Sequence, residues 1–269
     1  MNESKKSEIE LPADVMQSLD CCEQFAEIDS TNAEALRQLQ AGKKGTFLLL
    51  AQTQTAGRGR RGKLWLSPPK AGIYMSLVRP FTLQANELQA LSLVTALAVQ
   101  EGLSEYGANG IQLKWPNDLL VNKKKLGGIL LEFKQSEEVN YIVFGIGINL
   151  SLPHSIREEI GQPATDLEEV LNATVDKSEV LAHILRVLFT SLSQFELHSF
   201  SSFQEKWNLL DCYRNQDIVL QTGDQHKIGR SLGVDAKGAL LLQTGAGLEV
   251  INGGEIFPTL REATREALR

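Results

Sequence analysis

The apolar pattern of the chain changes character near Asn215. Before it, short strand-like runs alternate with segments of helical period. Phe47–Ala51, Ile73–Val78, Ile111–Trp115, Asp118–Val121, Leu126–Phe133 and Tyr141–Asn149 read as strands. Leu88, Leu91, Val94, Leu97 and Ala98 recur at helical spacing within Glu87–Leu103, and so do Leu181, Ile184, Leu188, Leu192 and Phe195 further on. After Asn215 only short runs remain: Asp217–Thr222, His226–Val234, Ala239–Gln243 and Leu248–Ile251, separated by Thr-Gly-Asp, Ala-Lys-Gly and Gly-Ala-Gly turns. One layered α/β domain followed by a small β-barrel accommodates both patterns. The expected boundaries are a short leader at 1–27, a main domain at 28–213, the barrel at 214–260 and a tail at 261–269. Two helix starts are legible. Thr31-Asn32-Ala33-Glu34 has the form of a capping box, and Asp176 with Glu179 caps the long second helix.

Charge narrows the partner classes. The 269 residues carry a formal net charge of −6, which argues against a general nucleic-acid or anionic-membrane coat. The distribution is uneven. Residues 37–86 hold nine Lys or Arg and no acid, whereas residues 151–211 hold ten acids and four bases. Such a window in an acidic chain points to a small anionic ligand rather than a polyanion. Cys21, Cys22 and Cys212 form no metal or disulfide pattern, and His154, His183, His198 and His226 show no ligand spacing, so no protein-bound metal is expected. No run reaches the ~18–20 apolar residues of a membrane span. MNESKKSEIELPADV lacks the apolar stretch of a signal peptide, so a cytoplasmic location is expected, with no membrane partner.

Three motifs carry candidate chemistry. Gly57-Arg58-Gly59-Arg60-Arg61-Gly62 combines glycines, which let backbone amides converge on an anion, with permanently charged guanidinium forks. By itself it also reads as a flexible Arg-Gly loop that binds RNA loosely. In Lys114-Trp115-Pro116-Asn117-Asp118, a two-residue period sets Lys114 on one face with Gln112 and sets Ile111, Leu113 and Trp115 on the other. Lys114 is then either a surface lysine or a point charge for a phosphate or carboxylate. Gly145-Ile146-Gly147-Ile148-Asn149 places two glycines in an apolar strand, which signals close approach of a ligand or of another chain segment. Gly127 and Gly128 invite the same two readings, and Lys123–Lys125 reads as a solvated hairpin tip.

Taken together and in order, Asp29–Asn32, Gln54–Gly62, Trp65, Lys114–Asp118, Lys125–Leu130 and Gly145–Asn149 resemble the biotin–protein ligases, over about Asp29 to Phe257. The resemblance implies an α/β (α+β) ligase domain with a mixed β-sheet flanked by helices, and a C-terminal SH3-like β-barrel. It implies ATP-dependent activation of biotin as biotinyl-5′-AMP, with Mg²⁺ accompanying the nucleotide. Transfer follows, to a lysine of a biotin carboxyl carrier protein such as that of acetyl-CoA carboxylase. Position by position, Ser30, Thr31, Asn32, Gln54, Arg58, Gly59, Arg60, Lys114, Gly145 and Gly147 correspond to biotin-contacting residues. Arg60, Arg61, Trp65, Lys114 and Asn149 correspond to the ATP and adenylate site, with Lys114 and Arg60 the catalytic candidates. The acid-free window then has a chemical reason, because carboxylates beside the phosphates would repel them.

The chain departs from the regulatory members in having only 28 residues before Asp29, so DNA binding is not expected. Thr55 replaces a common glutamine, and Leu232 stands where some members carry arginine. Monomer and homodimer both remain open. The rival enzyme is a lipoate–protein ligase or related acyltransferase. The rival from another class is an Arg-Gly RNA-binding module, which would want stacking aromatics, whereas aromatics are only 6% of this chain.

Overall fold

A computed structural model describes residues 9–82, 90–136, 139–223 and 225–258. In chain order the elements are α1 (Ala13–Met16), β1 (Cys21–Phe25), α2 (Thr31–Gln40), β2 (Phe47–Ala51), β3 (Gly72–Phe81), α3 (Leu91–Glu105), β4 (Ile111–Lys114), β5 (Asp118–Val121), β6 (Lys124–Gln135) and β7 (Asn140–Asn149). They continue with α4 (His154–Ile160), α5 (Leu167–Leu171), α6 (Lys177–His198), α7 (Gln204–Leu210), β8 (Asp217–Thr222), β9 (Gln225–Val234), β10 (Leu240–Thr244), β11 (Gly247–Ile251) and β12 (Glu255–Phe257). The expected start of the first long helix, at Glu87 and Leu88, and the tail at 261–269 lie outside the described residues.

Seven strands form one sheet in the order β1-β2-β3-β7-β6-β5-β4. The β1–β2 pair is parallel and every other neighbouring pair is antiparallel, so the sheet is mixed. Alternate residues of β2 face opposite layers. Leu48 and Leu50 join the core beneath α3 and α6, while Phe47 and Leu49 pack with Ala35 and Leu39 of α2 on the other face. Burial on both faces is why this strand shows a continuous apolar run rather than alternation. Helix α3 is buried almost all round between the sheet and α6. Helix α6 is long and apolar enough by composition to cross a bilayer, but Leu181, Ile184, Leu188, Leu192 and Phe195 are buried in this core.

Of the leader expected at 1–27, the residues from Ile9 onward are described, and they are built into the main domain. Cys21–Phe25 adds the parallel edge strand β1, and Val15 of α1 is buried in the main core. Its polar composition concealed this, because an edge strand half-exposed along its length carries little hydrophobic periodicity. The C-terminal unit is a five-stranded antiparallel sheet in the order β11-β10-β9-β8-β12. Ile218, Leu220, Val234, Leu240, Leu242 and Ile256 from it join the same core as the main domain. The Trp115 indole N–H also donates to the Gly238 carbonyl at 3.2 Å.

Candidate active site

The site follows from how far α2 covers the sheet. On the α2 face, β3 runs from Val78 to Ser76 to Tyr74, and its partner β7 runs from Val143 to Gly145 to Gly147. Val78 and Val143 pack beneath α2. Beyond the N-terminus of α2 the same face continues with small or polar residues, and a cleft opens. A Cβ on Gly145 would come 2.3 Å from Asn32 Oδ1, and one on Gly147 would come 2.5 Å from the Trp65 ring. Both positions therefore need the bare backbone.

Ser30, Thr31 and Asn32 all enter the cleft at the start of α2 and all are buried. The cap is Ser30, not Thr31: its side chain accepts from the Ala33 N–H at 3.4 Å. The expected capping box does not form, because residue 33, three after the true cap, is alanine, and Glu34 instead binds Arg37 and Gln38. Thr31 is thereby free to donate from its N–H to Gln54 Oε1 at 2.8 Å, and its hydroxyl lies 3.2 Å from the same oxygen. Ser76 Oγ lies 2.7 Å from Thr31 Oγ1 and 2.5 Å from Asn32 Oδ1. The Asn32 amide donates to Glu132 at 2.9 Å. These contacts make one rigid polar wall.

The Arg-Gly segment is folded rather than loose. Arg58 bridges Leu64 in antiparallel fashion, the Gly59 N–H donates to the Lys63 carbonyl at 2.8 Å, and the Trp65 N–H donates to the Gly57 carbonyl at 2.9 Å. At its tip Arg61 takes a left-handed conformation, φ 57°. Arg58 pairs with Glu132 at 2.9 Å. Arg60 donates toward Asn117 Oδ1 at 3.4 Å and the Gly254 carbonyl at 3.3 Å. Lys63 pairs with Glu255 at 2.9 Å. A hairpin whose charges are engaged in this way does not resemble a solvated RNA-binding tail. Burial lowers the Arg60 guanidinium from its ordinary value, although Glu255 and Asp118 oppose the shift.

Lys114 occupies the half-buried face that the two-residue period assigns to it, while Ile111, Leu113 and Trp115 are buried opposite. Its ammonium lies 3.8 Å from Asp118, 5.6 Å from the Phe257 ring of β12, and on the rim of the cleft. Every expected site residue lines this one cleft except two. Arg61 points to Glu255 at 3.8 Å, and Asn149 spends its amide protons on the carbonyls of Thr165 at 3.0 Å and Lys125 at 3.3 Å. Asn149 instead borders a second cavity of about 470 Å³, shared with Trp65, Lys125, Ile160 and Ala164. The Trp65 indole N–H is buried against Gly147, on the side of the first cleft, without a hydrogen-bond partner.

The biotin/lipoate A/B protein ligase family model matches residues 25–149, and the biotin protein ligase C-terminal domain model matches residues 215–257. Over 240 residues the chain is 36% identical to the biotin–[acetyl-CoA-carboxylase] ligase of Paracoccus denitrificans, covering 87% of this chain and 98% of that one. The chain belongs to the biotin/lipoate A/B protein ligase family. The bifunctional ligase/repressor BirA of Escherichia coli is 34% identical, with 88% of this chain and 73% of that protein covered. Among solved structures, the biotin protein ligase from Aquifex aeolicus in complex with biotin and ATP superimposes with a TM-score of 0.75 at 33% identity, covering 89% of this chain and 98% of that one.

In this family member the cleft is not free of acid. Asp118 and Glu255 line it, and Glu132 lies behind it in contact with Asn32 and Arg58, each of the three paired with a base. The acid-free window ends at Asn86, and β5, β6 and β12 bring carboxylates in from outside it. Burial opposes the charge on Asp118, yet Lys125, Lys114 and Arg60 together hold its carboxyl below the ordinary aspartate value. Lys125 is therefore no part of a solvated tip. Asn122 and Lys123 make the turn, with φ of 50° and 63°, and Lys125 lies 2.7 Å from Asp118. Arg230 pairs with the exposed Asp217 at 3.0 Å and does not line the cleft.

Proposed function

We propose that this chain is an ATP-dependent biotin–protein ligase that makes biotinyl-5′-AMP and transfers the biotinyl group to a lysine of a biotin carboxyl carrier protein. The convergence of Arg60, Lys114 and Lys125 on one cleft, opposite the glycine-floored wall of Ser30, Thr31 and Asn32, carries this reading. In the first half-reaction the biotin carboxylate oxygen bonds to the α-phosphorus of ATP, and the bond to the β-phosphate oxygen breaks with its electron pair. In the second, the acceptor amine attacks the biotinyl carbonyl and AMP departs. Both steps concentrate negative charge at one phosphate, and fixed cations in a site shielded from water lower such barriers. The Thr31, Gln54 and Ser76 network supplies neutral donors and acceptors suited to the uncharged head of biotin. The lysines and Arg60 suit its carboxylate and the phosphates. Mg²⁺ accompanying the nucleotide would supply charge that shields the triphosphate. A cytoplasmic setting is part of this proposal.

The deciding measurement is pyrophosphate release with MgATP, run with biotin, with lipoate and with neither. Release that depends on biotin is expected. Release indifferent to biotin, or dependent on lipoate, overturns the reading.

A further inference from the structure

Two ammonium groups, from different strands, reach the buried carboxylate of Asp118. Lys114 arrives from β4 at 3.8 Å and Lys125 from β6 at 2.7 Å. Lys125 arrives there because the β5–β6 register slips. Leu119 faces Gly127 while Leu120 faces Lys125, so two residues of β6 span one step of β5. A bulge of this kind re-aims a side chain, and bulges concentrate next to active sites. The backbone of Lys125 is pinned on both sides: its N–H donates to the Pro163 carbonyl at 2.8 Å, and its carbonyl accepts from the Thr165 N–H at 3.0 Å. The ammonium sits 5.5 Å from the Trp65 ring. Lys125 and Trp65 line both the cleft and the second cavity, whereas Lys114 lines the cleft alone.

A strand irregularity, two anchoring hydrogen bonds and a buried counter-ion are more than a surface lysine needs. One carboxylate between two lysines also leaves the pair with a net positive charge, and Arg60 adds another. That surplus fits a polyanion better than it fits a single carboxylate. The position of Lys125 between the cavities fits a ligand that extends from one into the other. Building on the ligase reading, we infer that Lys125 is a catalytic residue of the adenylation half-reaction, contacting the nucleotide phosphates, with Asp118 as the residue that positions it. Lys114, confined to the cleft, serves the biotin carboxylate. The bond changes are those of adenylation: the carboxylate oxygen–phosphorus bond forms, and pyrophosphate leaves with the electron pair of the broken bond. Lys125 supplies charge to the phosphates and transfers no proton.

The test separates nucleotide from biotin in the full chain. Lys125→Met is measured for its biotin Kd, by calorimetry with biotin alone, and for kcat/KM in MgATP, by biotin-dependent pyrophosphate release. The expected result is a drop of at least thirtyfold in kcat/KM for MgATP with biotin Kd within twofold of wild type. Lys125→Arg, which keeps the charge, is expected to recover most of that loss. Should the Met variant not fold, Lys125→Gln repeats the measurement with a polar group of similar reach. A MgATP kcat/KM within threefold of wild type overturns the inference. So does a biotin Kd that weakens by the same factor as the nucleotide constant, or an Arg variant as poor as the Met variant. Failure of the wild-type chain to release pyrophosphate in response to biotin would instead sink the ligase reading, so the two failures are distinguishable.

Discussion

Gly145 and Gly147 mark where the sheet face changes from core to site. Val143, two residues before Gly145, is fully buried under α2, and the next two positions on that face have no side chain at all. Gly147→Ala would drive a methyl group into the Trp65 ring at 2.5 Å, and Gly145→Ala would drive one into Asn32. Each is expected to cut biotin-dependent pyrophosphate release by at least a hundredfold, with a thermal midpoint within a few degrees of wild type. Retained turnover in both would show that the floor need not be bare. Lys114→Ala is expected to cost on the order of 10²–10³ in adenylation, the scale on which single charge-stabilising donors act. Near-ultraviolet circular dichroism should remain unchanged, and wild-type turnover would return Lys114 to the class of surface lysines. The glycines and Lys114 were legible because each breaks a local rule, Gly in a strand or a charge beside a buried tryptophan. Lys125 broke none. A third lysine after a turn reads as solvated unless the slip of one residue between β5 and β6 is known.

At the level of elements, the same hydrogen-bonding economy decides which side chains serve the site. Because Ser30 caps α2, the backbone and hydroxyl of Thr31 turn to Gln54. Ser30→Ala is expected to destabilise by about 1 kcal/mol, as for other N-caps. Urea unfolding would read this, and an unchanged midpoint would count against the cap. The joint after α7 carries an opposite kind of group. Asp211 bridges Leu113 of β4 through its backbone, and its Oδ2 is buried without a partner. Burial pushes its carboxyl up from 3.8 to about 6. The folded state therefore binds this proton more tightly than the unfolded chain does. Stability from this group is greatest below 3.8, declines as pH rises toward about 6, and stays reduced above that, by on the order of 3 kcal/mol. Asp211→Asn keeps the acceptor for the Tyr213 N–H and removes the charge. It is expected to match wild type near pH 4 and to exceed it by a few kcal/mol at pH 8. Equal urea midpoints at pH 8 would rule this out.

For the whole molecule, the C-terminal sheet shares one core with the ligase domain and supplies Gly254, Glu255 and Phe257 to the neighbourhood of the cleft. The two units are expected to unfold together, with tryptophan fluorescence and far-ultraviolet circular dichroism giving one coincident urea transition. Two separated transitions would show independent units. Strand and helix periods, the change of pattern near Asn215 and the three motifs could all be read from the chain, because each is a local relation between residues a few positions apart. The meeting of Lys114 with Lys125 across Asp118, of Arg58 with Glu132 and of Lys63 with Glu255 could not. Those pairs join residues from different strands and from both units, and their contact depends on strand register, on the bulge in β6 and on how the C-terminal sheet packs. Local pattern sets which elements form and which face is apolar. The charge balance of the cleft is a sum over distant residues, and only the packed sheet brings them within reach of one another.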